Sequence, residues 1–269
     1  PCDLSLTGDR LQIKQLDLLC DVGQVATTCD VKVPSTFDAA AVQTLLRQSY
    51  TANGHVDLAR LAQLIPQSLH IKQDTKVTSG KIQFAVTSTP GSGTPNSTAA
   101  WKGTLDASDL AAVDARGQTV RWQQPVKIEM AMRDSNTGPI IDALSCDSQF
   151  LKLNGKGNLE NLSADVQLSL DQLVKELGQF VDFGTVRLAG DGTGQINWSR
   201  NAAGTFQTSA KANVRNLLFA TSDKDAWRES DLTVDCQAAG ALTGAWPTRI
   251  DQLNVQVLAV AGTQQDTLR

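Results

Sequence analysis

Apolar and polar residues alternate along most of this chain with a period of two. The alternation is clearest near the carboxyl end, where Leu253, Val255 and Val257 are separated by glutamine and asparagine. A period of two sends successive side chains to opposite faces of a β-strand, so that one face is apolar and the other is polar. Short turns join most of these segments. The pattern predicts an antiparallel, meandering sheet of about fifteen strands.

Three segments have helical spacing instead, at residues 35–48, 56–68 and 170–181. Their apolar residues recur at intervals of three and four, which places them on one stripe of a helix. Ser169 and Gln172 stand in the S-x-x-Q relation at the start of the third segment. This relation is typical of a capping box, in which both side chains satisfy unpaired N–H groups of the first turn.

The same order of strand, helix and Gly-containing hairpin occurs twice. Aligning the two copies matches Gly80 with Gly194 and strand 30–33 with strand 165–168, and leaves one extra helix in the first copy. A repeat of this length indicates duplicated supersecondary structure. We expect one continuous sheet with two repeats: the first over residues 1–147 with two helices, the second over residues 148–269 with one.

Three segments rich in turn residues are expected to lie between helices or between strands. Residues 49–55 (SYTANGH) should separate the first two helices, while residues 154–158 (NGKGN) and 190–194 (GDGTG) should form turns between strands. Glycine and asparagine favour turns because they accept positive φ angles at low cost.

The number of helices restricts the possible architectures. A helix is about 10 Å wide and strands lie roughly 4.8 Å apart, so three helices cover about six strands. About nine strands keep an apolar face without a helix over it, and soluble monomers rarely expose such faces. The sheet must therefore pack on itself, close as a barrel or curl into a trough. We predict a mainly β fold with a few α-helices, in which the duplicated repeats form a long curled antiparallel sheet, or trough.

Charge and composition exclude several classes of partner. The net charge is −4, and the chain contains no long run of like charges, so nucleic acid is not an expected partner. No apolar run reaches 18 residues, which argues against a transmembrane helix in this chain. We interpret the chain as part of a longer protein, with any membrane anchor outside it. Its five cysteines are an odd number, and we expect them to be free thiols.

The sequence gives little support for a catalytic site. His55 and His70 have no neighbouring set of ligands at metal-binding spacing. Asp106, Asp109 and Asp114 do not have the spacing of a calcium-binding loop, and a solvated connection explains them better. We expect neither a metal nor a cofactor, and no enzymatic activity.

Two segments carry a resemblance to a known family: DLARLAQLIPQSLHIKQDTKVTSGKIQFAVTS and DQLVKELGQFVDFGTVRLAGDGTGQINWS. With its alternating strands, the chain resembles the AsmA-like group, which belongs with TamB-type proteins to the repeating β-groove, or bridge-like lipid transfer, superfamily. The resemblance implies a periplasmic protein, anchored to the inner membrane through a segment not present here. It also implies that further repeats of the parent chain extend the sheet. Its concave apolar face is expected to carry the acyl chains of phospholipids or other lipids, or otherwise to affect outer-membrane assembly.

The groove hypothesis names specific lining residues. They are the large apolar side chains of the central strands in the two repeats: Ile82, Phe84, Val86, Trp101, Leu105, Ile196, Trp198, Phe206 and Val214. Binding would be passive, with a gain of roughly 0.8 kcal/mol for each CH₂ group buried. The alternative is a structural or protein-binding β-repeat module with a closed, dry core. The two differ in whether the apolar faces are open or fully packed.

Overall fold

The computed structural model describes residues 2–33, 47–91, 98–122, 124–135, 138–158, 160–201, 204–222, 225–243, 246–261 and 264–268. The fold is mainly β, with two short helices among the described residues. Nearly all strands lie beside the strands that precede and follow them in the chain, in antiparallel pairs. The order runs from the first strand to the last, and the sheet does not close. This open antiparallel sheet confirms the predicted fold class.

The chain divides into two compact units, Pro1–Ala143 and Leu144–Arg269. Among the described residues, unit 1 contains eight strands before the one that crosses the boundary, and one helix after Asp57. The seventh strand (Thr119–Arg121) lies beside the main order and pairs with the sixth (Ala100–Val113). Its elements are β1 (Cys2–Thr7), β2 (Arg10–Cys20), β3 (Gly23–Lys32), β4 (Ser49–Asp57), α1 (Leu58–Leu64), β5 (Lys76–Thr89), β6 (Ala100–Val113), β7 (Thr119–Arg121) and β8 (Val126–Arg133).

The strand β9 (Ile140–Asp147) contains the boundary between the units. Unit 2 continues with longer strands and a second helix. Its elements are β10 (Leu151–Asn158), β11 (Asn161–Ser169), α2 (Leu170–Leu177), β12 (Arg187–Arg200), β13 (Thr205–Ala220), β14 (Ala226–Thr243), β15 (Trp246–Ala261) and β16 (Gln264–Leu268).

Each unit contains the same arrangement of strands around its helix. In unit 1, β4 leads into α1, and the chain returns as β5 to pair with β4 and then with β6. In unit 2, β11, α2, β12 and β13 follow the same path. The registers also agree, since the pair Gly54 and Phe84 in unit 1 takes the place of Val166 and Gly194 in unit 2. The duplication is therefore present at the level of individual cross-strand pairs.

A β-bulge beside each helix fixes how the two copies align. Gly80 in β5 and Gly190 in β12 have φ angles of 148° and 123°, and the facing strands carry Asp109 and Asn216 with φ angles of 57° and 52°. Register shifts occur at both places. The predicted match of Gly80 with Gly194 is thus wrong, because the bulge glycine of unit 2 is Gly190. The match of strand 30–33 with strand 165–168 is wrong as well, since the strand equivalent to β11 is β4.

The three predicted interruptions are in fact parts of strands. Residues 49–55 lie in β4, residues 154–158 lie in β10, and residues 190–194 lie in β12. Each of the three strands pairs with a neighbour across these residues. Pairing with neighbouring strands outweighs the weak local turn preference of glycine and asparagine, so the turn predictions are wrong.

The two described helices are shorter than predicted. α1 begins after Asp57, whose carboxylate accepts a hydrogen bond from the Arg60 amide at 3.0 Å, and it ends at Leu64, shortly before Pro66. α2 begins after Ser169 as predicted, but the Ser169 side chain makes no capping hydrogen bond, so the predicted capping box is not formed. The first predicted helix, 35–48, lies almost wholly outside the described residues.

Candidate functional site

The strand registers of unit 1 place its large apolar side chains on one face of the sheet. Residues directly opposite each other in an antiparallel pair point to the same face. Ile82, Phe84 and Val86 of β5 lie opposite Ala107, Leu105 and Gly103 of β6, and Trp101 lies opposite Ser88. All five lining residues predicted in unit 1 therefore share one face: Ile82, Phe84, Val86, Trp101 and Leu105.

The same face continues into the neighbouring strands of unit 1. β6 meets β8 through opposed pairs of Leu105 with Ile128 and Trp101 with Met132. On the other side, β3 presents Val25 opposite Gly54, and Leu18 of β2 lies opposite Val25. The apolar face of unit 1 thus extends over the strands from β2 to β8.

Unit 2 has an equivalent apolar face, and the four lining residues predicted there lie on it. Ile196 of β12 lies opposite Ala164 and Ala210, and Val214 of β13 lies opposite Gly192 and Leu232. Their environments differ, because Ile196 is 46% exposed whereas Phe206 is 3% exposed. The rings of Trp198 and Phe206 stack, with centroids 5.0 Å apart and an interplanar angle of 12°.

The opposite face of each unit is polar. In unit 2, Gln195 lies opposite Asp165 and Lys211, and the next positions in both directions are also polar. In unit 1, Gln83 of β5 lies opposite His55 and Asp106. Each described unit is therefore a single layer of sheet with one apolar face and one polar face.

Few of the described apolar side chains are buried, although the apolar faces are large. Nine are buried, and five of these are alanines: Ala62, Val77, Ala99, Ala111, Ala112, Phe180, Phe206, Ala220 and Leu232. A packed core of the kind predicted for a closed, dry module would bury many more large side chains. The apolar faces are therefore incompletely covered by the described part of the chain.

The strands next to the two edges of the sheet expose apolar residues that the predicted lining did not include. Leu18 of β2 is 59% exposed and Leu253 of β15 is 63% exposed. Both lie on the apolar faces, as their partners Val25 and Ala238 show. The period-two alternation contains the signal for these positions, because it continues unchanged into the outer strands.

The two described helices cover only part of these faces. α1 packs against β4 and β5, and α2 packs against β12. Their contacts lie beside the bulges: the side chain of Leu58 adjoins Gly80, and Asp171 accepts a hydrogen bond from the Gly190 amide at 2.8 Å. Both contacts lie near the first residues of β5 and β12.

No cluster of histidine, cysteine and carboxylate side chains among the described residues could hold a metal ion. Asp114 accepts hydrogen bonds from the amides of Arg116 and Gln118, which explains it as a turn residue. All five cysteines are free, as predicted, and partial burial with the nearby charge of Asp147 raises the pKa of Cys146.

None of the described helices is long and apolar enough to cross a bilayer. Comparison of the chain with protein-family models, with curated proteins and with solved structures finds no match. The resemblance to the AsmA-like group therefore stays a prediction.

Proposed function

We propose that the apolar face of each unit binds the acyl chains of lipids, and that the protein acts without catalysis as a segment of a lipid-carrying β-groove. The observation that supports this most directly is the separation of the two faces combined with the small number of buried apolar side chains. Covering those faces with acyl chains removes the cost of leaving them in water.

The magnitude of the gain fits a passive carrier. Each CH₂ group transferred from water to an apolar face gains roughly 0.8 kcal/mol, so a few contacts at each position suffice for weak binding that an acyl chain can leave again. The charged head group stays at the ends of the strands in water, because its burial without partners is costly. Phospholipids or other lipids with acyl chains are therefore the proposed ligands.

The cellular setting belongs to the same proposal. Such a segment would work in the periplasm of the cell envelope and contribute to outer-membrane assembly. Anchoring to the inner membrane would come from a segment outside this chain. Further repeats of the parent chain would pair with the outer strands and extend the sheet, as unpaired strand edges permit.

The first experiment is mass spectrometry of the purified protein under non-denaturing conditions, followed by organic extraction. Bound lipid should appear as added mass that the extraction removes. Uptake of a fluorescent fatty acid then measures the affinity of the delipidated protein. A protein that carries no lipid and takes up no probe would instead favour the alternative, a structural or protein-binding module whose apolar faces are covered by other protein.

Two neighbouring residues of β12 provide a matched pair of variants. Ile196→Asp places a charge on the apolar face, and Gln195→Asp places the same charge on the polar face of the same strand. We expect the first to weaken binding of the fluorescent fatty acid by at least about tenfold and the second by less than about twofold, since an unpaired charge opposes acyl-chain contact. Equal effects of the two variants would contradict the proposal. Val86→Asp and Thr87→Asp repeat the test in unit 1.

A further inference from the structure

The polar face of unit 1 contains a pocket of about 500 Å³ that spans β3, β4, β5 and β6. Two adjacent rows of cross-strand neighbours line it, together with Gly54 and Phe84 at the positions between the rows. The first row is Gln24, His55, Gln83 and Asp106, and the second is Ala26, Asn53, Ala85 and Thr104. At ideal strand spacings these rows outline a slot roughly 14 Å long and 7 Å wide.

Six polar side chains of this pocket make no hydrogen bond or ion pair with other groups of the described chain: Gln24, Asn53, His55, Gln83, Thr104 and Asp106. The next row on the same face behaves differently, because the hydroxyl groups of Thr28 and Thr51 bond to each other at 2.7 Å. The pocket therefore gathers hydrogen-bonding groups that remain available to a ligand.

Two of the equivalent positions in unit 2 carry polar groups that are bonded to other side chains. The register places Asn213 where unit 1 has Asp106, and Lys211 where it has Thr104. Asn213 accepts a hydrogen bond from Thr233 at 2.7 Å, and Lys211 forms an ion pair with Asp235 at 3.4 Å. At these two positions the polar face of unit 2 is internally bonded, whereas that of unit 1 is open.

The chemistry of the open pocket selects its ligand. It contains one carboxylate and no lysine or arginine, which disfavours phosphates and other anions. Its three carboxamides, imidazole and hydroxyl can each donate and accept hydrogen bonds, as a ligand rich in hydroxyl groups requires. The methyl groups of Ala26 and Ala85, one on each side of Asn53 in the second row, are small apolar surfaces suited to the C–H face of a sugar ring.

We propose that this pocket is a binding site for a neutral linear oligosaccharide. The site lies on the face opposite the proposed lipid groove, and it does not depend on that function. The elongated slot suits a linear chain. Neighbouring hydroxyl groups of such a chain can each bond to one end of a bidentate side chain. The carboxamides of Asn53 and Gln83 and the carboxylate of Asp106 are of this kind.

The two histidines of the chain allow a direct test. His55 lies in the pocket, and His70 lies outside it, after α1. The tag-free protein is titrated with maltotriose, cellotriose and chitotriose, and the imidazole C–H signals are followed by NMR. Binding should shift the His55 signals and leave those of His70 unchanged. A His70→Gln variant assigns the signals.

Matched variants locate the effect. Gln83→Ala should weaken binding of the active oligosaccharide about fivefold or more, the cost of one lost hydrogen bond. Gln167→Ala, at the position equivalent to His55 in unit 2, should leave the affinity unchanged. The proposal is overturned if no oligosaccharide shifts His55 up to about 10 mM, if His70 shifts equally, or if neutral peptides shift His55 and the oligosaccharides do not.

Discussion

The amide of Gly190 in β12 donates a hydrogen bond to the carboxylate of Asp171 in α2 at 2.8 Å. This bond joins the first turn of the helix to the bulge of the neighbouring strand. Gly80 and α1 meet at the equivalent place in unit 1, where the side chain of Leu58 adjoins the glycine. The bulge is thus the point at which each unit fixes its helix against the sheet.

Replacing Gly190 should therefore destabilise unit 2. A Cβ atom at this position would lie 2.8 Å from the Arg215 carbonyl oxygen, and the φ angle of 123° suits only glycine. We expect Gly190→Ala to lower the free energy of unfolding by about 2–4 kcal/mol, measured by urea denaturation. Gly194→Ala is the control, since its Cβ would meet only the Lys211 carbonyl oxygen at 3.5 Å. Equal losses in the two variants would show that the bulge does not require glycine.

The hydrogen bond itself can be removed without changing the glycine. Asp171→Ala should cost about 1–2 kcal/mol of unfolding free energy, because the Gly190 amide loses a charged acceptor. Asp171→Asn keeps an acceptor oxygen and should cost less. Lys175→Ala, an exposed substitution in the same helix, provides the control and should change the stability little. A loss in the control as large as that of Asp171→Ala would assign the effect to the helix as a whole.

Arg10 and Asp30 form an exposed two-bond ion pair between β2 and β3, with both N–O distances at 2.6 Å. The hydrogen bonds from Arg10 hold the pKa of Asp30 below its ordinary value. A lowered pKa means that this pair stabilises the fold above the pKa of the unfolded chain, and that the contribution disappears as the pH falls through the folded value. NMR titration should show the low pKa, and Arg10→Gln should raise it. Arg249→Gln, which removes the partner of Asp251, should leave it unchanged.

The five cysteines should react at different rates. Denatured protein should contain five reactive thiols, as the absence of disulfide bonds requires. In the folded protein, exposed Cys20 should react with iodoacetamide before Cys146, whose raised pKa leaves less thiolate near pH 8. Asp147→Asn removes a like charge and should accelerate Cys146. Peptide mass spectrometry measures both rates, and faster labelling of Cys146 than of Cys20 in the folded chain would contradict the assignment.

The sequence predicts the faces of the sheet better than the connections between its strands. Residues such as Phe84 and Ile196 reach the apolar face because alternation within a strand does not depend on which strand lies beside it. The segment 190–194 does depend on its neighbours, since a glycine run looks the same in a turn and in a bulged strand. Pairing with β11 and β13 makes it a strand, and this long-range information is not present in the local sequence.

The polar pocket shows the same limit. Its members come from four strands and carry no shared motif: Gln24, His55, Gln83 and Asp106 form a row only after three registers are known. The sequence around His55 has no ligands at metal-binding spacing, and nothing else in it indicates a site. Its place in the row follows from the registers.

The stack of Trp198 and Phe206 offers a final test of how far the apolar face of unit 2 is covered. Phe206 is 3% exposed, whereas Ile196 on the same face is 46% exposed. Phe206→Ala should therefore lower the free energy of unfolding by about 3–4 kcal/mol, and Ile196→Ala by about 1 kcal/mol or less, because an exposed side chain loses few contacts. Urea denaturation of the delipidated protein measures both.

A double-mutant cycle separates the stack from simple burial. Trp198→Leu, Phe206→Leu and the double variant should give a coupling of about 0.5–1.5 kcal/mol, as expected for two contacting aromatic rings. If Ile196→Ala costs as much as Phe206→Ala, the strand at Ile196 is covered by protein after all. An acyl chain would then have no room at Ile196, which the groove proposal requires to be open. Unequal costs would leave that part of the face open to lipid.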